Sequence, residues 1–223
     1  MIKAIIFDLD GTLVDTPSTG SKELEAFSIA KGLPSHDYQK MRMHYGHHDT
    51  EDLGWSVPLA QQKDLLVEWG EWSKTHIMAH EHLQPPLYAG ILDMLVLVKG
   101  RADIFLATSR EGHTANFLLD KYQLDHFFTA QRTQCCVKKF ELKDKPAPDM
   151  LLHLMAAEKL EPHQVIMVGD TTFDIHMAQA ANVKSIAITH GAHDVTRLQA
   201  ANPNYLVHNV PELEVLLDKL LVR

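Results

Sequence analysis

The sequence has few cysteines, no excess of positive charge and no long apolar run. Its only cysteines are Cys135 and Cys136, and because adjacent cysteines rarely form a structural disulfide, we expect a cytoplasmic protein. No apolar run approaches the roughly 18 residues of a membrane span, and Met1 leads into Ile2–Phe7 without a signal-peptide pattern, so we expect no membrane partner. The 21 Lys and Arg residues against 29 Asp and Glu give a formal net charge of −8, which argues against nucleic acid as a partner.

The composition that remains is that of an ordinary globular protein. Hydrophobic residues make up 45% and charged residues 22% of the chain, which excludes a disordered tail, a collagen-like fibre and a coiled coil. A length of 223 residues predicts one large domain or two modest ones, with enough chain to bury a substantial core. The protein is therefore large enough to be an enzyme.

Short apolar runs alternate with helical patterns along most of the chain. Five runs suit buried strands of a parallel sheet, the last being the weakest: Ala4–Phe7, Ile104–Ala107, Val165–Val168, Ser185–Ile188 and Tyr205–Val207. Helical patterns fall between or after them: Ile91–Val98, Thr114–Tyr122, Pro148–Leu160, Ile175–Ala181 and Pro211–Leu221. This alternation predicts the α/β class, with a doubly wound, mainly parallel sheet.

Residues 16–86 interrupt the alternation, and no convincing strand pattern occurs among them. Prolines and glycines divide this segment into three or four helical pieces, of which Leu59–Met78 is the longest. We predict a small helical domain of residues 16–86, inserted after the first strand. The α/β core is then formed by residues 1–15 and 87–223.

Charged and hydroxyl side chains follow the predicted strands or precede the helices beside them. They are Asp8, Asp10, Thr108, Lys145, Asp170 and Asp174. Ligands of open α/β sheets bind outside the carboxyl ends of the strands, so we expect these side chains to share one edge. Carboxylates so crowded need a cation or a retained proton, and all-oxygen ligation suits Mg²⁺ rather than zinc.

These residue types fit phosphoryl transfer. A carboxylate nucleophile can form an aspartyl-phosphate, and the transferring group then needs charge neutralisation, which Mg²⁺, Lys145 and the Thr108 hydroxyl would supply. Gly11 allows the chain to turn sharply, so that backbone N–H groups can approach a phosphate.

Four segments resemble, in order, the four motifs of the haloacid dehalogenase superfamily. They are Asp8-Leu9-Asp10-Gly11-Thr12-Leu13-Val14-Asp15, Thr108, Lys145-Pro146-Ala147-Pro148-Asp149, and Gly169-Asp170 with Asp174. The resemblance covers the chain from residue 2 to about residue 190. It implies the Rossmann-like core of that superfamily, and residues 16–86 resemble the helical cap of its phosphoglycolate phosphatase-like branch.

The resemblance also implies a role for each matching residue. Asp8 would be the nucleophile and a magnesium ligand. Asp10 would protonate the leaving alcohol, then activate the hydrolytic water, and would give its carbonyl oxygen to Mg²⁺. Thr108 would hold the phosphate, and Lys145 would neutralise Asp8 and the phosphoryl group. Asp170 would bind Mg²⁺ directly.

Further residues would support this site or bind substrate. Asp174 would hold the metal ligands in place or act as an additional ligand, and Gly11 and Thr12 would contact the substrate. Ser109 is a departure, because this branch usually has Asn there; its backbone N–H could still bind substrate. His48, in a predicted loop after Gly46, would reach the non-phosphate end of the substrate.

Simpler interpretations of the same residues stay open. Asp8 and Asp10 could form an ordinary strand-end turn, and Thr108 could merely cap the following helix. Lys143 is a rival to Lys145, although Pro146 fixes the backbone after Lys145 and the family pattern agrees with Lys145. The His76 and His80 pair, one helical turn apart, has metal-binding spacing, but a solvated helix face explains it as well.

We therefore predict an Mg²⁺-dependent phosphatase that hydrolyses a small phosphorylated metabolite, of phosphoglycolate or sugar-phosphate type, through an aspartyl-phosphate. One alternative is a β-phosphoglucomutase-like phosphotransferase, which keeps both Asp8 and Asp10. Another is a non-catalytic phosphoacceptor domain for signalling, against which the predicted cap argues. The sequence predicts no particular oligomeric state.

Overall fold

A computed structural model describes residues 1–33, 57–128, 132–135 and 142–221 of the chain. Six strands form one sheet: β1 Ala4–Phe7, β2 Asp103–Thr108, β3 Thr133–Cys135, β4 Val165–Gly169, β5 Lys184–Ile188 and β6 Tyr205–Val207. Their order across the sheet is β3-β2-β1-β4-β5-β6, and every neighbouring pair is parallel. Because β1 lies between β2 and β4, the carboxyl ends of these three strands are side by side.

The central strands are buried on both faces, as their continuous apolar sequences predict. Ile5 of β1 is in register with Ile104 of β2 and Ile166 of β4. Side chains alternate along the strand, so Ile5 packs into the apolar cluster on one face while Ile6 and Met167 pack into the cluster on the other. The two layers enclose the sheet.

Helices cover both faces of this sheet. The α-helices in the described part of the chain are α1 Thr16–Lys31, α2 Leu59–Ala79, α3 Ile91–Lys99, α4 Gly112–Lys121, α5 Asp149–Glu158, α6 Thr172–Ala180, α7 Val195–Ala200 and α8 Val210–Leu220. Helices α3, α4 and α8 contribute to one apolar cluster, and α5 and α6 contribute to the other. The predicted fold class, α/β with a doubly wound parallel sheet, is confirmed.

Most predicted elements are present with bounds shifted by a few residues. Helix α6 begins at Thr172, three residues before the predicted start, because Thr171 and Asp174 form a capping box there. Two elements were not predicted, the short edge strand β3 and the six-residue helix α7, which begins after the capping residue Asp194. Neither has the long periodic pattern on which the prediction depended.

Helices α1 and α2 pack against each other away from the sheet. Phe27 of α1 meets the Trp72 ring edge-on, with the ring centroids 5.7 Å apart, and Trp69 packs on the same apolar cluster. In the parts of residues 16–86 that are described, no strand occurs. The division of the chain into a core and an inserted domain stays a prediction.

Helix α1 has clear signals at both ends. The side chain of Asp15 accepts a hydrogen bond from the backbone N–H of Ser18, and Pro17 lies in the first turn. The helix ends at Gly32, whose φ of 62° is left-handed. None of the helices in the described ranges is both long and apolar enough to cross a bilayer.

Candidate active site

The candidate site lies at the carboxyl ends of three adjacent strands. Asp8 follows β1, Thr108 ends β2 and Asp170 follows β4. All three are buried. Parallel pairing of β1 with both neighbours therefore brings these side chains to one edge, as the sequence predicts.

Lys145 joins two carboxylates at this edge. Its Nζ atom lies 2.5 Å from Oδ1 of Asp8 and 2.7 Å from Oδ1 of Asp174, and only 3% of its side chain is exposed. Burial opposes the charged ammonium, but the two carboxylates outweigh it and raise the pKa of Lys145. Lys143 is exposed, by contrast, so the structure places Lys145 and not its rival in the site.

Three carboxylates meet closely enough to share a cation. One oxygen each from Asp8, Asp170 and Asp174 lies within 4.8 Å of the others. Burial raises the pKa of Asp8, although Lys145 acts in the opposite direction. Burial, with the charge of Asp174, raises the pKa of Asp170 to about 7. With Lys145 protonated, three ionised carboxylates leave a formal charge of −2, which suits a divalent cation with oxygen ligands.

Backbone groups and small residues fix Asp170. Its Oδ1 accepts from the Thr12 hydroxyl at 3.1 Å, and its Oδ2 accepts from the Ala192 N–H at 2.6 Å. Gly11 has a φ of 78°, and a Cβ added there would lie 2.1 Å from Oδ2 of Asp170. Glycine is therefore required at Gly11 for both its backbone conformation and its close approach to the carboxylate.

Asp174 is held by the start of its own helix. Its Oδ2 accepts from the backbone N–H of Thr171 at 3.0 Å and from the Thr171 hydroxyl at 2.6 Å. A Cβ on Gly169 would lie 2.3 Å from Cγ of Asp174. The carboxylate is thus anchored by the capping box and by Lys145, an arrangement that suits support of the neighbouring carboxylates.

Asp10 forms a separate ion pair above this cluster. The guanidinium of Arg110 donates to Oδ2 from Nε at 2.9 Å and to Oδ1 from Nη2 at 2.6 Å, and the Thr16 hydroxyl lies 2.5 Å from Oδ1. Burial opposes ionisation of Asp10, but Arg110 and Thr16 outweigh it and lower its pKa. These contacts favour the ionised form of Asp10.

Arg110, which follows Thr108 by two residues, has no role assigned from the sequence. Its positive charge, in a loop directly after a buried strand and near the expected carboxylates, is the feature of the sequence that could have indicated this ion pair. Two further groups, the Ala192 N–H and Glu23 of α1, reach the neighbourhood of the site only through tertiary structure. Nothing in their local sequence indicates this placement.

The loops after β2 and before α5 are tied together. The Thr108 hydroxyl accepts from the Arg110 backbone N–H at 3.0 Å, whereas Glu111 caps α4, so Thr108 is not the helix cap. The Ser109 hydroxyl lies 2.5 Å from Oδ1 of Asp144, which also accepts from the Lys145 N–H at 2.8 Å. Ser109 thus helps to position the loop that carries Lys145.

Of the histidines singled out in the insertion, His76 and His80 do not add to this site. His48 lies outside the described residues, and its contact with substrate stays a prediction. The Nδ1 atoms of His76 and His80 lie 2.9 and 3.0 Å from backbone carbonyls of Trp72 and His76, respectively. Those contacts fit a helix face. Across the described ranges, the group with metal-binding geometry is the Asp8, Asp170 and Asp174 triad.

This fold and site define a class of α/β protein with a cluster of carboxylates at the edge of a parallel sheet. The family model for haloacid dehalogenase-like hydrolases matches residues 5–188. The chain belongs to this family, and the resemblance noted in the sequence is confirmed.

Relatives and solved structures agree with this assignment. A Dickeya dadantii protein named "Probable phosphatase IndB" is 30% identical over 215 residues, covering 94% of this chain and 90% of that protein. A Chromobacterium violaceum phosphoglycolate phosphatase is 28% identical over 222 residues, covering 95% of each chain. A haloacid dehalogenase-like hydrolase from Streptococcus pneumoniae has a TM-score of 0.76 at 25% identity, covering 96% of this chain and 97% of that chain.

Proposed function

We propose that this protein is an Mg²⁺-dependent phosphatase that hydrolyses a small phosphomonoester through an aspartyl-phosphate on Asp8. The observation that carries the proposal is the buried Asp8 carboxylate, paired with Lys145 and grouped with Asp170 and Asp174. Membership of the hydrolase family and the phosphatase relatives bear out the expected class, a phosphoric monoester hydrolase.

The residues present fit a magnesium ion. Side-chain oxygens of Asp8 and Asp170 and the backbone carbonyl of Asp10 would hold it, with Asp174 supporting them, and all of these are the oxygen donors that Mg²⁺ prefers. When bound, Mg²⁺ would neutralise negative charge on the transferring phosphoryl group. The raised pKa values of Asp8 and Asp170 support the proposal that a further positive charge is bound here.

In the first step, a carboxylate oxygen of Asp8 attacks phosphorus and the alkoxide leaves. Lys145 lies 2.5 Å from Asp8, where its ammonium orients the nucleophile and stabilises charge on the phosphoryl oxygens. The Thr108 hydroxyl, buried beside it, donates to the same group. The leaving alkoxide needs a proton, which Asp10 supplies as general acid.

In the second step, Asp10 removes a proton from the water that attacks the aspartyl-phosphate. The ion pair with Arg110 keeps Asp10 ionised, which matches this role as a base. Its earlier role as an acid requires the opposite charge state. The contact between Arg110 and Asp10 must therefore loosen when substrate binds, for example as Arg110 turns towards the phosphate.

Residues 16–86 would act as the cap over this edge. Thr16 of α1 hydrogen-bonds to Asp10, so α1 begins at the site. Helix α2 packs against α1. A cap excludes water and contacts the non-phosphate end of the substrate. The names of the relatives favour phosphoglycolate, and a sugar phosphate is the second candidate. The predicted cytoplasmic location agrees with such a metabolite and stays a prediction.

Purified protein should hydrolyse p-nitrophenyl phosphate with Mg²⁺ and lose this activity with EDTA. Failure to hydrolyse any of a panel of phosphomonoesters, or full activity without a divalent cation, would contradict the proposal. Far better reactivation by zinc than by Mg²⁺ would contradict the oxygen-ligand site. Transfer of the phosphoryl group to an added sugar, in place of phosphate release, would favour the β-phosphoglucomutase-like alternative.

A further inference from the structure

A buried carboxyl group faces the site from the insertion. Glu23 of α1 is only 3% exposed, and its Oε1 atom has no hydrogen-bond partner among the described residues. The same carboxyl group interacts with Ser73 and Trp69 of α2, and the charges of Arg110 and Asp10 also affect its pKa. Glu23 therefore lies between α1, α2 and the ion pair above the catalytic cluster.

The spacing along α1 shows how Glu23 is placed relative to the substrate. One face of the helix is buried, and the spacing of its residues follows the turns of the helix. This face includes Thr16, Thr19, Gly20 and Glu23. Thr16 contacts Asp10, and Glu23 follows two turns later, about 10 Å along the axis. Helical side chains lean towards the N-terminus and Gly20 has no side chain to block that direction, which agrees with the influence of the Asp10 and Arg110 charges on the pKa of Glu23.

Keeping this carboxyl group buried has a cost that the described contacts offset only in part. Burial without a partner penalises a polar oxygen, and more strongly when it is charged. Burial also raises the pKa of Glu23, although Ser73, Arg110 and Trp69 act against this and Asp10 acts with it. A hydrogen-bond donor on a bound ligand would satisfy Oε1 and remove the cost.

We propose that Glu23 is a specificity-determining residue that accepts a hydrogen bond from a hydroxyl or ammonium group at the non-phosphate end of the substrate. This inference rests on the proposed phosphatase function and narrows its substrate class, away from the phosphoglycolate that the names of the relatives favour and towards the second candidate, a sugar phosphate or a similar ester with a hydrogen-bond donor. It implies that a carboxylate at the same end of the substrate is disfavoured, because Glu23 and Asp10 both present carboxyl groups there. The Arg110 guanidinium, which is paired with Asp10 before substrate binds and would turn towards the phosphate afterwards, would not compensate for that repulsion.

Three phosphomonoesters of matched size test the inference: 2-aminoethyl phosphate, 2-hydroxyethyl phosphate and 2-phosphoglycolate. We expect kcat/KM for at least one of the two donor substrates to exceed that for 2-phosphoglycolate by about tenfold or more, since a hydrogen bond to a charged group is typically worth at least that factor. Three-carbon homologues of the same three compounds allow for a longer reach. Comparison of kcat/KM between the aminoethyl and hydroxyethyl compounds shows whether an amine or a hydroxyl is preferred.

Glu23→Gln should reduce this preference by about tenfold, since the near-isosteric amide removes the charge. Glu23→Asp keeps the charge and covers the case in which Glu23→Gln does not fold. Glu25→Gln changes an exposed carboxyl of the same helix and should leave the preference unchanged. An equal effect of Glu23→Gln on all three substrates, or a wild-type preference for 2-phosphoglycolate over both donors, would overturn the inference.

Binding to the Asp8→Asn variant separates this inference from the proposed function, since it needs no turnover. Calorimetry with the same three compounds should show the donor preference in Asp8→Asn and its loss in the Asp8→Asn, Glu23→Gln double variant. If wild-type protein hydrolyses no phosphomonoester but the binding preference appears, the proposed function fails and the specificity role stands. If phosphomonoesters are hydrolysed without any binding preference, the specificity role fails alone.

Discussion

The sheet edge and the inner face of α1 both bury carboxyl groups, but they treat them differently. At the edge, Asp8 is paired with Lys145, Asp10 with Arg110, and Asp170 with backbone and hydroxyl donors. On α1, Glu23 keeps one oxygen without a partner among the described residues. The edge is thus organised before substrate arrives, whereas the α1 face keeps an acceptor available for it.

This difference follows from the elements that carry each group. The edge is built from neighbouring strands whose register is fixed by backbone hydrogen bonds, and regular elements position functional groups more precisely than loops do. The α1 face depends on packing between two helices, Phe27 against Trp72 among the contacts. Under the two proposals, reaction chemistry and substrate selection reside on separate parts of the fold, so variants in the two parts should give different kinetic signatures.

The most severe test of the edge is Asp8→Asn, which is nearly isosteric but removes the nucleophile. We expect a loss of turnover greater than about 10³-fold, because no other group can form the covalent intermediate. The fold should persist, as judged by circular dichroism. Asp120→Asn, in the exposed part of α4, is the matched control. Activity within a few-fold of wild type would show that Asp8 is not the nucleophile.

Asp10→Asn should have the next largest effect, and one that depends on the leaving group. Loss of general acid catalysis typically costs about 10²–10⁴-fold, so hydrolysis of an alkyl phosphate should slow by this amount. p-Nitrophenolate needs little protonation, so its release should suffer less. The second step still lacks its base, and aspartyl-phosphate should accumulate as a burst followed by a slow steady state.

Equal slowing of both substrates by Asp10→Asn without a trapped phosphoenzyme would have another meaning. Asp10 would then only position the metal or the backbone, and the acid and base roles would have to be reassigned. The sheet edge would then no longer contain all the groups of the reaction, and variants at the edge and in the insertion would no longer be expected to differ in their kinetics.

The contrast between these regions also explains which features the sequence predicts. The apolar run Ala4–Phe7 matches β1 in both bounds, and the order of strands places Asp8 and Asp170 at one edge. Strand β3 was missed because its three residues, Thr133–Cys135, form no apolar run. Local pattern is enough where a buried strand fixes the position of the next residue.

Arg110 and Glu23 show where such prediction stops. The Arg110 guanidinium reaches Asp10 across 100 positions of sequence, and Glu23 acquires its surroundings from α2 and from the loop after β2. A hydrophilic residue in a helical pattern predicts a solvated face, and only the packing of α1 against α2 shows that Glu23 is buried. These are tertiary effects that no local pattern contains.

Arg110→Gln should reduce turnover less than either aspartate variant. It tests whether the ion pair with Arg110 sets the charge state of Asp10. Without the guanidinium, the pKa of Asp10 rises from its lowered value, so more Asp10 is protonated at a given pH. The acid limb of the pH profile for hydrolysis of the aspartyl-phosphate should move to higher pH, so that kcat falls most on that limb, by about tenfold for each unit of the move. Arg110→Lys keeps the charge but not the two-pronged contact, and should recover part of the shift. An unchanged pH profile would mean that Arg110 does not set the charge state of Asp10.

The smallest expected effect concerns stability, and it tests whether Glu23 is buried as the structure indicates. Its pKa in the folded protein is raised above the ordinary value of 4.5, with burial as the main cause. Above pH 4.5 the folded protein therefore retains a proton that the unfolded chain has released, so Glu23 makes stability fall as the pH rises through this window up to the raised pKa. Asp8 and Asp170, whose pKa values are also raised, contribute to the same decline, so the decline in thermal stability should be smaller in Glu23→Gln than in wild type, whereas Glu25→Gln should match wild type. If wild type and Glu23→Gln show parallel stability profiles, Glu23 is solvated, and the α1 face no longer differs from an ordinary polar helix surface.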